Sequence, residues 1–335
     1  MTLANLSAQM LPAIENELRR SVKSVMADGL EPFYGMLTYH MGWEGNEKVS
    51  QGKRIRPLLL LLVTAAAGGE WERALPAAAA VELVHNFSLI HDDIQDGSDL
   101  SRGRPTVWKL WGMPQAINAG DAMFAIAHLA CLGLSEHVSL ETTHICTNLL
   151  ITTCIKLTGG QYLDISYETQ TEITADAYWP MVEGKTAALI SSCTEMGAHI
   201  AEADRSIIGF YREFGRSLGL AFQVQDDYLG IWGDAALTGK SAESDLVAGK
   251  KSLPVLYGLG QNGDFRARWL SGPITAEEVP DIAAMLESEG ARQYTLKASS
   301  QLTRQALDNL ALAEPRGNAG AALEELTHQL LNRNK

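Results

Sequence analysis

The first side chains that could do chemistry are three carboxylates, Asp92, Asp93 and Asp96, which follow the apolar run VELVHNFSLIH. If that run is a helix, Asp92 and Asp96 stand one turn apart on one face, with Asp93 beside them. Like charges at this spacing repel, so the arrangement favours bound cations that neutralise them. A solvated acidic helix end is the alternative for this motif taken alone.

A second acidic pair, Asp226 and Asp227, follows the apolar run GLAFQV, with Asp234 and Asp245 further along. Two apolar helices that end in acidic doublets could face each other across a cavity. Ligand sets made only of carboxylate oxygen suit Mg²⁺ bridged to a phosphate-bearing substrate, whereas Zn²⁺ prefers His or Cys. The two clusters therefore indicate magnesium-assisted chemistry on a phosphate ester.

The basic residues are few, but they are grouped beside these carboxylates. The chain has 27 Lys and Arg against 40 Asp and Glu, a net charge of −13. That balance argues against non-specific nucleic-acid binding and against a polybasic membrane-surface protein. Cations grouped in so acidic a chain favour bound polyanions, although any single group could be an ordinary surface ion pair. The groups are Lys53, Arg54 and Arg56; Arg102 and Arg104; Lys185; and Lys240, Lys250 and Lys251.

The elements that must position these residues are helices, because apolar residues recur with helical spacing and strand signals are nearly absent. No long Pro- or Ser-rich linker interrupts the chain, so we expect one all-α domain over residues 1–335. Glycine-rich breaks are expected at 68–69, 103, 159–160 and 233. Helices are predicted over Pro76–Asp96, Gly120–Leu134, Glu141–Leu157 and Thr186–Ile200.

Neither a membrane span nor a secretory signal is expected. The most apolar stretch, 57–69, has 13 residues, and a bilayer helix needs about 20. The N-terminal region carries Glu15 and Glu17 and lacks the pattern of a signal peptide. The four cysteines have no CxxC spacing, which favours reduced, packed thiols in a cytoplasmic protein.

Seven segments together resemble the trans-isoprenyl (polyprenyl) diphosphate synthases, in particular the short-chain farnesyl and geranylgeranyl types. They stand in that family's order and spacing over roughly residues 50 to 260. The segments are GKRIRP (52–57), HNFSLIHDDIQD (85–96), RGRPT (102–106), AGDAMFA (119–125), GGQYLDISYE (159–168), GKTAALI (184–190) and LGLAFQVQDDYLGIWGD…TGKS…D…KKSLP (218–254).

The resemblance implies an all-α helical bundle around a deep central cavity, with the acidic motifs at its mouth, and a homodimer. It implies a prenyltransferase that condenses isopentenyl diphosphate with an allylic diphosphate, head to tail and trans. By this resemblance, three Mg²⁺ ions on the allylic diphosphate are held by Asp92, Asp93, Asp96, Asp226 and Asp227. The same diphosphate would be contacted by Lys185, Thr186, Gln223, Lys240 and Lys250. The diphosphate of isopentenyl diphosphate would be bound by Lys53, Arg56, His85 and Arg102.

Two positions depart from the family pattern. Ser101 stands where the first of two arginines is usual, which predicts weaker primer binding or a compensating residue. Gly230 stands where a third Asp is common, and there we expect a modest effect.

Phe87 and Ser88 lie five and four residues before Asp92, and Phe87 is therefore about 7 Å along the helix from the acidic cluster. A bulky side chain at this position tends to stop chain growth early in the resembled family. The resemblance thus predicts a short product, with C20 favoured over C15. The alternative is that Phe87 only packs between helices.

Three other functions are compatible with parts of the sequence. A terpene cyclase-like enzyme would share the fold, but it would not need Lys53, Arg56 and His85 for a second diphosphate. A non-catalytic subunit of a heteromeric prenyl synthase is a second alternative, which Ser101 keeps open. A di-iron carboxylate bundle is a third, because Glu-x-x-His occurs at Glu82/His85, Glu141/His144 and Glu325/His328.

Overall fold

The computed structural model describes residues 2–44, 52–170, 173–233 and 244–331. The chain divides into two compact units, each built from separate stretches of sequence. Unit 1 contains Met1–Thr152, Cys193–Ile208 and Pro315–Leu323. Unit 2 contains Thr153–Ser192, Gly209–Glu314 and Glu324–Lys335. The expected single domain over residues 1–335 stays a prediction.

The described residues are almost entirely helical, and the all-α prediction is confirmed. A two-stranded antiparallel ribbon interrupts the helices with strands β1 (Leu100–Ser101) and β2 (Arg104–Pro105). A π-helical turn spans Glu183–Ala187. The α-helices are α1 Leu3–Lys23, α2 Glu31–His40, α3 Ile55–Ala66, α4 Leu75–Gln95, α5 Val107–Trp111, α6 Met113–Leu132, α7 Leu140–Glu168, α8 Ala175–Val182, α9 Ala188–Ile200, α10 Arg205–Trp232, α11 Ser244–Val247, α12 Leu253–Gln261, α13 Asp264–Leu270, α14 Val279–Ser288, α15 Ala291–Leu312 and α16 Gly317–Leu331.

Prolines mark where several helices begin. A proline in the first turn costs no hydrogen bond, because the N–H groups there have no partner within the helix, and its fixed φ suits the helix. The first-turn proline predicted at Pro76 is confirmed in α4. Four further helices, α2, α6, α12 and α14, begin in the same way with Pro32, Pro114, Pro254 and Pro280.

The core of unit 1 is built around α4, which packs along α6 and also contacts α1 and α3. The run Ala77–Ala80 of α4 has no exposed surface, and Leu60, Leu61 and Leu62 of α3 are equally buried. A helix apolar on most faces belongs inside a protein. The acidic end of α4 therefore projects from a fully packed helix.

The core of unit 2 is centred on α12, which packs against α8, α13, α14 and α15. Tyr178 of α8 and Phe265 of α13 are among its largest buried side chains. Large aromatic side chains bury the most apolar area per residue, so they contribute strongly to a core of this kind.

The break predicted at Gly159 and Gly160 is wrong, because α7 continues through both residues to Glu168. A side chain on Gly160 would overlap the backbone of Gly184 and Lys185. A side chain on Gly184 would in turn overlap the Lys156 carbonyl and Gly160. Gly160 and Gly184 therefore serve a close approach of two backbone segments.

A second apolar segment, longer than 57–69, bears on the expected absence of a membrane span. The segment Met113–Glu136, which is α6 and the 3₁₀ turn after it, is long and apolar enough to cross a bilayer by length and composition. Its most apolar window has a mean hydropathy of 1.4, and 39% of that window is buried. One such helix is a weak indication of a membrane span, because core helices pass the same test.

Candidate active site

The first acidic cluster lies at the C-terminal end of α4 in unit 1. Asp92 and Asp93 are in the last turn, and the Asp96 N–H donates to the Asp92 carbonyl at 2.8 Å as the residue that caps the helix. Burial, followed by the charges of Asp92 and Asp96, raises the pKa of Asp93 to about 7 against the opposing effect of Arg102. Asp93 Oδ2 is buried without a hydrogen-bond partner among the described residues. This carboxylate is placed where a cation would stabilise it.

The β1–β2 ribbon follows this cluster and carries the RGRP segment. Arg102, with φ 52°, and Gly103, with φ 77°, form its left-handed turn. Ser101 and Arg104 are directly paired across the ribbon, so their side chains share one face. The Arg104 guanidinium lies over the Tyr39 ring at 3.8 Å, a cation–π contact that anchors the ribbon to α2.

A small cavity of about 30 Å³ adjoins the ribbon and has room for a water molecule. His40 Nε2 is buried without a partner among the described residues, and burial together with the Arg102 charge lowers the pKa of His40 to about 3. The cavity is lined by Tyr39, His40, Asp93, Ser101, Arg102, Arg104, Pro105, Thr106 and Val107.

A buried ion pair supports the cations of the GKRIRP segment. Arg54 is 6% exposed, and its Nη1 donates to Glu82 Oε1 at 2.7 Å while Nη2 donates to Glu15 at 3.3 Å. Asn86 Nδ2 also donates to Glu82 Oε1, at 3.1 Å. Glu82 is thus already neutralised, which is a physical reason against its proposed part in a di-iron site.

The residues expected to bind isopentenyl diphosphate form a dense positive region in unit 1. Burial lowers the pKa values of Arg56 and Arg102. The pKa of His85 lies well below its usual value because of burial and then because of the charges of Arg56 and Arg102. Arg56 Nε is buried without a partner in the described part of the chain. Lys53 is exposed beside this region. Such a surplus of cations suits a strongly charged anion.

In unit 2, Asp227 is held in a hydrogen-bonded relay. Thr186 Oγ1 donates to Gln223 Oε1 at 2.9 Å, and Gln223 Nε2 donates to Asp227 Oδ1 at 2.9 Å. The Leu253 N–H donates to Asp227 Oδ2 at 3.0 Å. Burial raises the pKa of Asp227 to about 6, although these bonds and Lys250 lower it. The predicted residues Thr186, Gln223 and Asp227 therefore lie together.

Lys185 lies in the π-helical turn and pairs with Asp164 of α7. Sequence reasoning did not single out Asp164, although it stands inside the quoted segment GGQYLDISYE, four residues after Gly160. The close approach at Gly160 and Gly184 brings the two charges within reach of each other. π-Helical turns occur frequently at functional sites.

Lys250 is surrounded by carboxylates. Burial alone would lower its pKa, but the charges of Asp245, Asp227, Asp164 and Asp226 raise it. Its Nζ lies 3.8 Å from Asp245 Oδ1. Lys240, which was expected to contact the same diphosphate, lies outside the described residues.

The neighbouring Lys251 has a different role. Its ammonium group donates to the carbonyls of Tyr167 and Gln170, and to that of Glu168 at 3.1 Å. These carbonyls end α7, where helical carbonyls lack partners within the helix. Lys251 therefore caps a helix.

Gly230, which replaces the common third Asp, leaves room for another carboxylate. A side chain at this position would overlap Asp245 Oδ2. Asp245 thus brings a carboxylate to the backbone of Gly230, next to Lys250.

Phe87 is 7% exposed and meets the rings of His91 and Phe124 edge to face. Ser88 Oγ donates to the His85 carbonyl at 2.9 Å, so its hydroxyl is engaged within α4. Phe87 does pack between helices, as the alternative required, and this packing also fixes the direction of its ring.

Both acidic clusters offer only carboxylate oxygen, the ligand chemistry that Mg²⁺ prefers. In the described ranges, no three His, Cys, Asp or Glu side chains are gathered closely enough to form a complete cation cage. Mg²⁺ is usually held by one or two carboxylates together with substrate phosphates. The residues present therefore fit Mg²⁺ that binds with a diphosphate.

Residues 45–284 match the model of the polyprenyl synthetase family. A (2E,6E)-farnesyl diphosphate synthase of Mycobacterium bovis is 38% identical over 336 residues, covering 96% of this chain and 92% of that protein. A geranylgeranyl diphosphate synthase of Mycobacterium tuberculosis is 37% identical over 300 residues, covering 87% and 83%.

Solved structures agree with the sequence matches. A polyprenyl synthetase from Streptomyces coelicolor A3(2) superposes with a TM-score of 0.87 at 32% identity, covering 98% of this chain and 99% of that one. A geranylgeranyl pyrophosphate synthase from Corynebacterium glutamicum, solved with isoprenyl diphosphate and magnesium, gives 0.86 at 26% identity, covering 99% and 100%.

Proposed function

Since this chain belongs to the polyprenyl synthetase family and is a short-chain prenyltransferase, we propose that it makes a C20 diphosphate in a Mg²⁺-dependent reaction. Isopentenyl diphosphate would add, head to tail and trans, to an allylic diphosphate. The observation that carries this proposal is the positive region of unit 1. A cyclase ionises one diphosphate and has no use for a second set of cations, whereas a condensing enzyme needs them.

The proposed roles follow from charge. In unit 1, Lys53, Arg56, His85 and Arg102 hold the diphosphate of isopentenyl diphosphate, and Asp92, Asp93 and Asp96 hold Mg²⁺. In unit 2, Asp226 and Asp227 hold Mg²⁺, and the allylic diphosphate is bound by Lys185, Thr186, Gln223, Lys240 and Lys250. When bound, Mg²⁺ supplies positive charge that stabilises the departing diphosphate.

The residues of the chain then have two tasks. Fixed cations such as Lys185 stabilise charge on the leaving diphosphate as the allylic C–O bond breaks. Apolar walls exclude water from the allylic cation. The double bond of isopentenyl diphosphate attacks that cation, and the proton lost afterwards goes to the released diphosphate. No nucleophilic side chain is required.

Ser101 stands where the resembled family usually has an arginine, and Arg104 is our candidate for the cation that compensates for its loss. It stands opposite Ser101 in the ribbon and lines the same small cavity as Asp93. Its charge therefore takes the place of the usual arginine near the primer diphosphate.

A homodimer is the proposed assembly, formed through the exposed face of α6. Ile117, Leu129 and Leu132 are 42%, 55% and 49% exposed on this one helix. Apolar surface of this kind on a charged protein marks an interaction site. Sedimentation of the pure protein should show a dimer that Leu132→Glu dissociates. Co-sedimentation with lipid vesicles, and no dimer, would assign this face to a membrane.

All four cysteines are free and buried, in agreement with the expected reduced thiols. We propose a cytoplasmic location, where thiols stay reduced.

The test is incubation of the homogeneous protein with isopentenyl diphosphate, Mg²⁺ and each allylic primer in turn, followed by chromatography of the dephosphorylated products. A dominant C20 alcohol is expected. Cyclic hydrocarbons formed without isopentenyl diphosphate would favour the cyclase. Inactivity of the pure chain, with activity gained from another subunit, would favour the non-catalytic alternative.

The cations supply a sharper test. Arg56→Gln should raise the KM for isopentenyl diphosphate by about tenfold to a hundredfold, the value of a lost hydrogen bond to a charged group. The KM for the allylic primer should change little. Arg20→Gln, which removes an exposed arginine of α1 that pairs with Glu17, is the matched control and should leave both constants unchanged.

A further inference from the structure

The ring of Phe87 is held on one side by a second phenylalanine, Phe124 of α6. The two ring centroids are 5.1 Å apart and the ring planes meet at 75°, which is the favourable edge-to-face arrangement. Phe87 is 7% exposed and Phe124 is 38% exposed. Phe124 therefore stands behind Phe87, toward the outer face of α6.

A third ring restricts Phe87 further. His91, one turn along α4, meets Phe87 edge to face with centroids 5.7 Å apart. The His91 ring fills the space above Gly120, where a side chain would overlap it. His91 Nε2 also lies 3.5 Å from the Ile117 carbonyl. Helix α6 thus holds both ring neighbours of Phe87. It carries Phe124, and its residues Ile117 and Gly120 contact His91.

Phe124 has its own support on α6. The His128 ring packs against it at 4.5 Å, and His128 Nδ1 lies 2.7 Å from the Phe124 carbonyl. The rings of Phe87, Phe124 and His128 contact one another in this order, and we call these three rings the ring stack. Loss of the middle ring would leave a gap into which Phe87 could turn, because a buried side chain relaxes toward a cavity.

We propose that Phe124 is a positioning residue for product length, which acts by holding the Phe87 ring across the path of the growing chain. The inference rests on the proposed function, since it requires that Phe87 stops elongation. Removal of the Phe124 ring would let Phe87 turn toward α6, and the product would grow beyond C20.

The experiment compares product distributions at a fixed ratio of isopentenyl diphosphate to primer. Phe124→Ala should raise the fraction of products longer than C20 by about threefold to tenfold, the factor that the energy of one edge-to-face ring pair would give. Phe87→Ala should raise it at least as much, and the double variant should add nothing. Phe124→Tyr keeps the ring and should keep the wild-type distribution.

Leu129→Ala is the matched control. Leu129 lies on α6, is 55% exposed, and stands more than one helical turn beyond Phe124. It should leave the product length unchanged. If Leu129→Ala lengthened the product as much as Phe124→Ala, the effect would belong to the α6 face as a whole and the inference would be overturned. Phe124→Leu, with melting temperature and oligomeric state measured, serves if Phe124→Ala does not fold.

The remaining outcomes separate the inference from its premise. Longer products from Phe87→Ala with none from a folded Phe124 variant would overturn the role of Phe124 and leave the proposed function intact. Unchanged products from both variants would overturn the role of Phe87 as well. A wild-type chain without condensation activity would overturn the proposed function itself.

Discussion

The acidic cluster of unit 1 and that of unit 2 use the same side-chain type in opposite electrostatic settings. Asp93 has like-charged neighbours and a buried oxygen without a partner in the described residues, and its pKa is about 7. Asp227 accepts bonds from Gln223 and Leu253 and lies near Lys250. Asp93 of unit 1 thus lies among like charges that a bound cation would relieve, whereas Asp227 of unit 2 is held by hydrogen bonds before any ligand binds. The next five predictions test this contrast.

Asp93→Asn should have the largest effect. We expect kcat to fall by about 10³-fold, because the variant loses a carboxylate proposed to hold the Mg²⁺ that stabilises the departing diphosphate. The metal-free protein should melt at a higher temperature, because the repulsion from Asp92 and Asp96 is removed. Steady-state condensation assays and thermal melts at pH 8 measure both. A lower melting temperature would contradict the repulsion that we infer among the three carboxylates of unit 1. Asp99→Asn, at an exposed ion pair with Lys109, is the control.

Asp227→Asn should reduce activity by about 10²-fold and also reduce stability, the reverse of the stability change in unit 1. An amide offers one acceptor where the carboxylate offered two, so one buried N–H loses its partner at about 1–3 kcal/mol. Chemical denaturation gives the free energy of unfolding. If this variant were more stable than wild type, Asp227 would resemble Asp93, and the contrast between the two acidic clusters would be refuted.

The adjacent lysines of unit 2 should separate function from stability. Lys251→Met removes the cap from α7, and we expect the free energy of unfolding to drop by about 2 kcal/mol while kcat changes little. Lys250→Met should instead raise the KM for the allylic primer about tenfold with little change in unfolding. Equal effects of the two variants on the primer KM would refute the assignment of Lys251 as a cap.

The pH dependence of stability should differ between wild type and His40→Asn. The folded pKa of His40 is about 3, far below its ordinary value of 6.5. Below pH 6.5 the unfolded chain therefore takes up a proton that the folded chain refuses, and stability falls as the pH drops toward 3. Asp93 titrates with the opposite sign, so the measurement is the difference between the two proteins at each pH. A difference independent of pH between 4 and 7 would refute a neutral, buried His40.

Ser101→Arg should have the smallest effect. Arg104 already stands across the ribbon from this position, so a second cation should lower the KM for the primer only about threefold, as expected for a charge that solvent screens. Primer saturation curves measure this. A drop of a hundredfold would show that Arg104 does not compensate for Ser101.

Much of this architecture could be predicted from the sequence, because long apolar periodicity and first-turn prolines are local signals. The carboxylates of α4 and the residues Thr186, Gln223 and Asp227 were named from motifs whose order along the chain is distinctive, but the hydrogen bonds that join the last three were not predicted. The break at Gly159–Gly160 was misjudged, because a glycine needed for backbone approach and a glycine that ends a helix look alike in one dimension.

The other features that the sequence did not reveal also depend on contacts between residues that are made only in the fold. Lys250 and Lys251 are identical in type and adjacent, and only the fold directs one toward carboxylates and the other toward carbonyls. Asp164 was missed because its partner, Lys185, lies 21 residues away. The apolar outer face of α6 was missed because hydrophobic residues on an exposed side disturb the amphipathic pattern by which helices are recognised.

The contact between Gly160 and Gly184 fixes the position of Lys185, the lysine that we propose binds the allylic diphosphate. The two backbones lie so close that not even a methyl group fits between them. This closeness fixes the spacing between Asp164 and Lys185. A protein engineer who seeks new primers has freedom along the ring stack, where volumes can be exchanged one side chain at a time. Where Gly160 meets Gly184 there is no such freedom, because a side chain on either residue would displace the backbone that carries Lys185.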